Sequence, residues 1–331
     1  MVGSELRRNV AVAFALTALL ALVACNPKPI TAPSSTGCGG PMAISADGRY
    51  VAVPAPGDPI VIRDTTDGSD LAVLPAGIAQ GVSADAQVVA YQDAATGSAR
   101  IWRRSSGTSS PLPVPAGYWS TWVGPDPVSA DGGTVMYTAR TVTGAERIHL
   151  YDVATATVSS VPQSVNGHAK ISADGRYVAY VTGALAVYRY DRVAPSITQI
   201  GTVDNLGHEP VMAISGDGQV VAFNISQAGF EDQIYIRDVA AGTTSWAPVP
   251  GNGVEYDVRI DLDHDGPTIT WSTTAAPSRV VQIERLTGTA EDIATNAMAA
   301  HASADGNQIA YCGVTSNGVE KQYWTLLWTR P

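Results

Sequence analysis

One short motif recurs along the chain and restricts the folds that it can adopt. The motif reads Ser-Ala-Asp-Gly or a close variant, and an apolar segment such as Val-Ala-Tyr follows it. Six intervals span the 258 residues from the first motif aspartate to the last, an average of 43. A regular interval of this length indicates a chain built from repeated supersecondary units. The aspartates of the seven copies are Asp47, Asp85, Asp131, Asp174, Asp217, Asp265 and Asp305.

Each copy of the motif has the composition of a β-hairpin turn. The serine can bond the backbone two residues on, the aspartate tolerates turn conformations, and the glycine accepts a positive φ. Four residues after each aspartate stands Val or Ile, and six residues after it stands Val, Tyr, Phe or Trp. This alternation predicts a strand that is buried on both faces. In the second copy Ala86 replaces the glycine, so we expect a strained or different turn there.

The length of the repeat predicts the architecture. About 43 residues make one four-stranded blade of a β-propeller, and we find no long helix-period stretch after the N-terminal segment. We therefore predict an all-β fold, a seven-bladed β-propeller with four-stranded antiparallel blades over residues 41–331. The last repeat is one strand short, so we expect a segment near Ile30 to Pro33 to add its outer strand and close the ring.

The hairpin sequence is similar to that of a known family. Ser-Ala-Asp-Gly followed by Val-Ala-Tyr resembles the WD-repeat-like propeller repeats of the TolB family, in which the usual form is Ser-Pro-Asp-Gly. The resemblance covers residues 41–328, although this chain has Ala or Gly where that family usually has Pro. It implies a propeller fold. It implies little about function, because this repeat occurs in scaffolds, receptors and accessory domains of enzymes.

The N-terminal residues read as an export signal. Two arginines precede an apolar stretch, residues 10–23, that is too short to span a bilayer comfortably. The next cysteine ends the sequence Leu22-Val23-Ala24-Cys25, which looks like a bacterial lipobox. We therefore predict a lipoprotein signal peptide over 1–24, lipidation of Cys25, and a tether with the ring-closing strand over 25–40. An ordinary signal peptide with an incidental cysteine is the alternative.

The remaining cysteines lie close to the two ends of the predicted ring. If Cys25 carries lipid, Cys38 and Cys312 are left, and an exported protein meets conditions in which disulfides persist. We predict a Cys38–Cys312 disulfide, whose closure of nearly the whole domain is worth about 5 kcal/mol in the chain-entropy model. Two buried free thiols are the alternative.

Composition and charge restrict the partners. The net charge is −10, which argues against nucleic acid because such partners require a basic surface. We expect a monomeric propeller that is anchored by its lipid to the bacterial cell envelope and faces the periplasm or the exterior. Its partner is expected to be an envelope protein or a glycan.

Three histidines lie just before or at the start of the first strand of a repeat. They are His168, His208 and His301, and Glu209 adjoins the second of them. The first strands of a propeller surround its channel, so these side chains could ring one mouth and bind a metal or an anionic ligand. The alternative is that they are ordinary loop histidines.

Two further segments carry candidate binding residues. Asp261, Asp263 and Asp265 alternate as in the opening of a calcium loop, but the closing acidic ligand is absent and a degenerate hairpin turn is the alternative. The aromatic side chains of Tyr118, Trp119 and Trp122 could stack on a sugar or hold a peptide, whereas packing between blades is their alternative use.

The sequence favours binding over catalysis. We find no Gly-x-Ser-x-Gly elbow of the kind that presents a catalytic serine, and we assign no catalytic residue. The predicted function is a non-catalytic protein- or glycan-binding scaffold module, without a cofactor unless the calcium loop is filled. The alternative is a metal-assisted lyase or hydrolase that uses the channel-mouth histidines.

Overall fold

The computed structural model of the protein describes residues 27–30, 42–55, 59–165, 168–203, 211–225, 233–248, 259–273, 278–316 and 321–330. Over these ranges the chain forms 27 β-strands and no helix. Adjacent strands pair antiparallel, and most of the sheets have four strands. The fold is therefore all-β and propeller-like. None of the described residues belongs to a helix with the length and apolar character needed to cross a membrane.

The strands in chain order are β1 (Lys28–Pro29), β2 (Ala43–Ile44), β3 (Tyr50–Pro54), β4 (Pro59–Asp64), β5 (Asp70–Val82), β6 (Val88–Asp93), β7 (Ala99–Arg103), β8 (Thr108–Pro111), β9 (Tyr118–Trp122), β10 (Thr134–Thr141), β11 (Glu146–Asp152), β12 (Thr157–Val165), β13 (Ala169–Ile171), β14 (Tyr177–Val181), β15 (Ala186–Asp191), β16 (Ser196–Thr202), β17 (Met212–Ile214), β18 (Val220–Ile225), β19 (Gln233–Asp238), β20 (Thr243–Pro248), β21 (Arg259–Leu262), β22 (Thr268–Thr273), β23 (Arg279–Glu284), β24 (Ala290–Thr295), β25 (Ala297–Ala302), β26 (Gln308–Ser316) and β27 (Lys321–Thr329).

The sheets follow the sequence repeats. The four strands β9–β12 form one sheet, as do β13–β16, β17–β20, β21–β24, and β25–β27 with β1. Strands β2–β8 form one larger sheet, because the long strand β5 pairs with β4 through residues 70–76 and with β6 through residues 77–82. This larger sheet therefore contains two copies of the repeated motif.

The repeated motif forms the turn between the first two strands of a repeat. In the fourth copy Ser172 donates a hydrogen bond to the Asp174 carboxylate, which also accepts the backbone N–H of Arg176 at 2.9 Å. The serine oxygen in turn accepts the backbone N–H of Tyr177 at 2.9 Å. The serine thus bonds the aspartate side chain and the backbone five residues on, whereas we expected a bond to the backbone two residues on. Ser45, Ser83, Ser129, Ser215 and Ser303 make the same contacts.

The second turn keeps this geometry although it lacks the glycine. Ala86 adopts a φ of 52°, close to the 69° of Gly132 in the next copy. The Ser83 and Asp85 contacts are the same as in the other turns. The turn is therefore strained but not different in form, since a left-handed conformation is unfavourable for a residue with a Cβ.

The hydrophobic core is a series of clusters between successive repeats. One cluster packs Tyr180 of the fourth repeat against Met136 and Ile148 of the third, and similar clusters join the other sequential pairs. A further cluster contains Val53 of the first repeat and Leu327 of the last. The alternation of large and small residues in the second strand of each repeat supplies both faces of these contacts.

The N-terminal segment adds a strand to the last sheet. Strand β1 pairs antiparallel with β27, Lys28 opposite Leu327, and the Ile30 N–H donates to the Thr325 carbonyl oxygen at 2.8 Å. We expected this strand near Ile30 to Pro33, and the structure has it at Lys28–Pro29. Residues 31–33 lie outside the described ranges.

Of the three cysteines, the structure describes one. Cys312 is buried in β26 and is disulfide-bonded. Cys25 and Cys38 lie outside the described residues, so lipidation of the first and pairing of the second with Cys312 stay predictions.

Candidate functional site

A cavity of about 110 Å³ lies where the first strands of the repeats meet. Its wall takes residues from all seven repeats, and most of them are Ala, Gly, Val, Ile or Leu. Small side chains here leave the space open. The ionisable side chains that line it, among the described residues, are Asp126, Lys170, Asp261 and His264. Three of them form a cluster.

The cluster consists of Asp126, Lys170 and Asp261 together with His301. The Lys170 ammonium contacts Asp126 Oδ2 and lies 3.8 Å from Asp261 Oδ1. The Nδ1 atom of His301 lies 3.6 Å from Asp126 Oδ1 and 3.5 Å from Asp261 Oδ2. Each carboxylate therefore faces both the ammonium and the imidazole.

Four different repeats position these four side chains. Lys170 is the middle residue of β13, Asp261 lies in β21 and His301 in β25. Asp126 lies in the link between β9 and β10, where it has a φ of 53° and donates its N–H to the Gln80 carbonyl oxygen at 2.8 Å. This left-handed conformation, unusual for a residue other than glycine, lies in the part of the link that lines the cavity.

The two carboxyl groups titrate differently. Burial raises the pKa of Asp261, and the nearby charge of Asp126 raises it further. Burial also acts to raise the pKa of Asp126, but the charge of Lys170 and the nearby His301 outweigh it and lower the pKa. Asp126 is thus the carboxylate that holds its charge most firmly, because the ammonium touches it.

The donor atoms of Asp126, Asp261 and His301 converge. One atom from each of them lies within 4.8 Å of the others. Two carboxylate oxygens and one imidazole nitrogen suit a divalent ion such as Mn²⁺ or Fe²⁺. These three side chains are therefore suitable ligands for a divalent metal ion. The Lys170 ammonium, itself a cation, already lies beside the two carboxylates.

Of the two proposed histidines that the structure describes, His301 lies in this cluster and His168 does not. His301 is 2% exposed and faces both carboxylates. His168 precedes β13, and its carbonyl oxygen accepts the Val181 N–H at 3.1 Å. His208 and Glu209 lie outside the described residues. The structure thus groups His301 with two aspartates.

The three aspartates of the proposed calcium loop have separate surroundings. Asp261 faces the channel cluster. Asp263 takes the place of the motif serine and accepts the Thr268 N–H at 3.1 Å. The Asp265 side chain is 80% exposed and pairs with His264 at 2.7 Å. Among the residues that the structure describes, these three do not form a common metal-binding group.

Sequence reasoning missed Asp126 and Lys170. Lys170 is one of three lysines in the chain and stands between two apolar residues at a first-strand position. That isolated charge was an available signal. Asp126 carries no such signal, because it belongs to an irregular link that follows the aromatic segment.

The aromatic residues lie on β9 and differ in exposure. Tyr118 packs edge-on against the His149 ring at 4.9 Å, and the Arg140 guanidinium lies 5.1 Å from the Trp122 ring centre. Trp119 is 62% exposed, and its indole N–H donates to the Thr141 carbonyl oxygen at 3.0 Å. Tyr118 and Trp122 therefore pack within their own sheet, whereas Trp119 presents a fixed ring to solvent.

Comparison with known proteins bears on the fold. No family model matches the chain, and no curated protein matches its sequence. Among solved structures, an oligogalacturonate lyase in complex with manganese is similar, with a TM-score of 0.65 and 13% sequence identity. The similarity covers 87% of this chain and 88% of that one. At this identity it shows the fold alone, and it agrees with the sheet topology: the chain has a propeller-like all-β fold.

Proposed function

We propose that the protein binds a divalent cation in its channel and uses it in metal-assisted lyase or hydrolase chemistry. The convergence of Asp126, Asp261 and His301 carries this proposal. It develops the enzyme alternative of the sequence analysis, with two carboxylates in place of further histidines. The manganese in the similar lyase structure makes Mn²⁺ the first ion to test.

The surrounding residues suit such chemistry. A divalent ion would polarise a carboxylate or carbonyl oxygen of a ligand. The Asp261 Oδ2 atom accepts the Ala302 N–H at 3.2 Å, which orients that carboxylate towards the channel. Lys170 holds a proton at Nζ beside the Asp126 carboxylate.

The proposal predicts that Mn²⁺ affinity depends on the channel carboxylates. Asp261→Asn keeps the shape of the side chain but removes a charged ligand, so we expect at least about tenfold weaker binding. Isothermal titration calorimetry measures the Mn²⁺ affinity of each protein. His301→Gln should also weaken Mn²⁺ binding. Asp265→Asn, at a carboxylate outside the cluster, is the matched control and should bind like the wild type.

Two results would count against the channel site. Wild-type affinity in Asp261→Asn would exclude this carboxylate as a ligand. Loss of Ca²⁺ binding in Asp265→Asn as well as in Asp261→Asn would favour the calcium loop instead. Turnover is tested separately. Oligogalacturonate is the first substrate to try, because the similar solved structure is an oligogalacturonate lyase. Lyase activity would release unsaturated products, which are detected by their absorption of ultraviolet light.

A second candidate function, glycan binding without chemistry, is favoured by Trp119. Its ring is exposed and its orientation is held by the bond to Thr141, which suits stacking on a sugar face. Trp119→Ala should then weaken binding of an oligosaccharide probe such as oligogalacturonate about tenfold. Exposed Leu286, changed to Ala, is the control. Equal affinity of the two variants, by calorimetry, would remove Trp119 from the binding site.

The finer architecture is part of the proposal. We propose a seven-bladed propeller whose ring is closed by β1 and a Cys38–Cys312 disulfide. Its support is the contribution of all seven repeats to one cavity, the apolar cluster between first and last repeats, and the pairing of β1 with β27.

We also propose an exported lipoprotein of the cell envelope, on the lipobox residues that end at Cys25. Strand β1 begins three residues later, at Lys28. Three residues reach at most about 11 Å, so the lipid would hold the edge of the last sheet close to the membrane. The channel would then lie within the compartment that contains its envelope partner or glycan.

A further inference from the structure

The Lys170 ammonium lies between the two carboxylates of the channel cluster. It contacts Asp126 Oδ2 and lies 3.8 Å from Asp261 Oδ1, and its side chain is only 12% exposed. A charged amine in this position compensates two carboxylates that burial would otherwise destabilise. It therefore stands where a cation shared by both carboxylates would stand.

From this position we infer that Lys170 is a built-in competitor for the divalent cation. A metal ion shared by Asp126 and Asp261 requires the same oxygens that Lys170 contacts. Like charges a few ångströms apart repel each other, and screening by water is limited here because the Lys170 and Asp261 side chains are only 12% and 14% exposed. The ion thus enters as the ammonium leaves Asp126. This inference rests on the proposed metal function and adds to it a means of regulating occupancy.

The cavity gives the lysine a place to move. Lys170 itself lines this space of about 110 Å³. The flexible four-carbon stem of a lysine can carry its ammonium to another position at a small cost in energy. A ligand that draws the Lys170 ammonium away from the carboxylates would raise their affinity for the metal ion. Without such a ligand, the ammonium keeps its place beside the carboxylates.

Mn²⁺ alone is the probe for this competition. Electron paramagnetic resonance of the free ion measures binding to the full chain and to Lys170→Met, which keeps an unbranched side chain, one atom shorter, without the charge. We expect Lys170→Met to bind Mn²⁺ about tenfold or more tightly than the wild type. Lys170→Arg keeps the charge and should show no gain. Lys321→Met, at the start of β27, is the control for loss of a lysine elsewhere.

A second variant covers the case in which Lys170→Met does not fold. Lys170→Gln is also uncharged and can still donate a hydrogen bond to Asp126. In either variant Mn²⁺ should raise the melting temperature by more than it does in the wild type, because stabilisation grows with affinity. Binding to both folded variants that is no tighter than to the wild type would overturn the competition while leaving the metal site in place. Absence of Mn²⁺ binding to every form would overturn the proposed function as well.

Discussion

Gly218→Ala should lower the free energy of unfolding by about 3 kcal/mol. Gly218 closes the fifth motif turn with a φ of 69°. A Cβ atom built there would lie 2.2 Å from Cδ2 of Tyr177 in the preceding repeat. The tyrosine ring has little freedom to move away, because the guanidinium groups of Arg176 and Arg189 lie 4.8 and 4.3 Å from its centre. Arg189 also donates to the Gly218 carbonyl oxygen at 2.8 Å.

Gly242→Ala is the matched control for this prediction. Gly242 has nearly the same φ, 68°, but a Cβ at this position would meet nothing within 4 Å. The free energy of unfolding of Gly242→Ala should fall by only about 1 kcal/mol, the cost of a left-handed conformation at alanine. Urea unfolding of both variants gives the two losses. Equal losses would mean that the contact between adjacent repeats at Tyr177 does not limit the turn.

Asp263→Ser should raise the free energy of unfolding by about 2 kcal/mol at pH 7. Asp263 is 5% exposed, and its Oδ1 atom has no hydrogen-bond partner among the described residues. A serine would accept the Thr268 N–H and donate to Asp265, as the serines of the six other turns do with their own partners. The change thus removes a buried carboxylate and restores the usual turn.

The gain from Asp263→Ser should depend on pH. Burial raises the pKa of Asp263 above its usual value, so the folded protein binds this proton more tightly than the unfolded chain. The wild type therefore regains stability as the pH falls through the raised pKa, and regains it fully below the unfolded pKa of about 3.9. Urea unfolding of both proteins from pH 7 downwards should show the difference shrinking. A difference that is constant with pH would contradict a charged, buried Asp263.

The local features could be read from the sequence because their causes lie within a few residues. The bonds of Ser172, Asp174 and the Tyr177 N–H join residues at most five positions apart. The same holds for Ala86, whose strain follows from its place in the turn. The alternation around Val178 and Tyr180 predicted a doubly buried strand, and both residues are fully buried.

The channel cluster could not be read in this way. Asp126 and Lys170 are 44 residues apart, and Asp261 and His301 lie in later repeats. The histidine pattern indicated the right region, since His301 does face the two carboxylates of the cluster. The pattern did not indicate which residues of the other repeats lie at the same level as His301.

Repeat length, turn chemistry and strand alternation were determined by the sequence itself, because hydrogen bonding and side-chain size act between near neighbours. The meeting of two carboxylates, an ammonium and an imidazole was decided only by the tertiary structure. Its physical reason is that packing between repeats sets the depth and direction of each first strand. The irregular link that carries Asp126 then brings its carboxylate to the level of Lys170, Asp261 and His301.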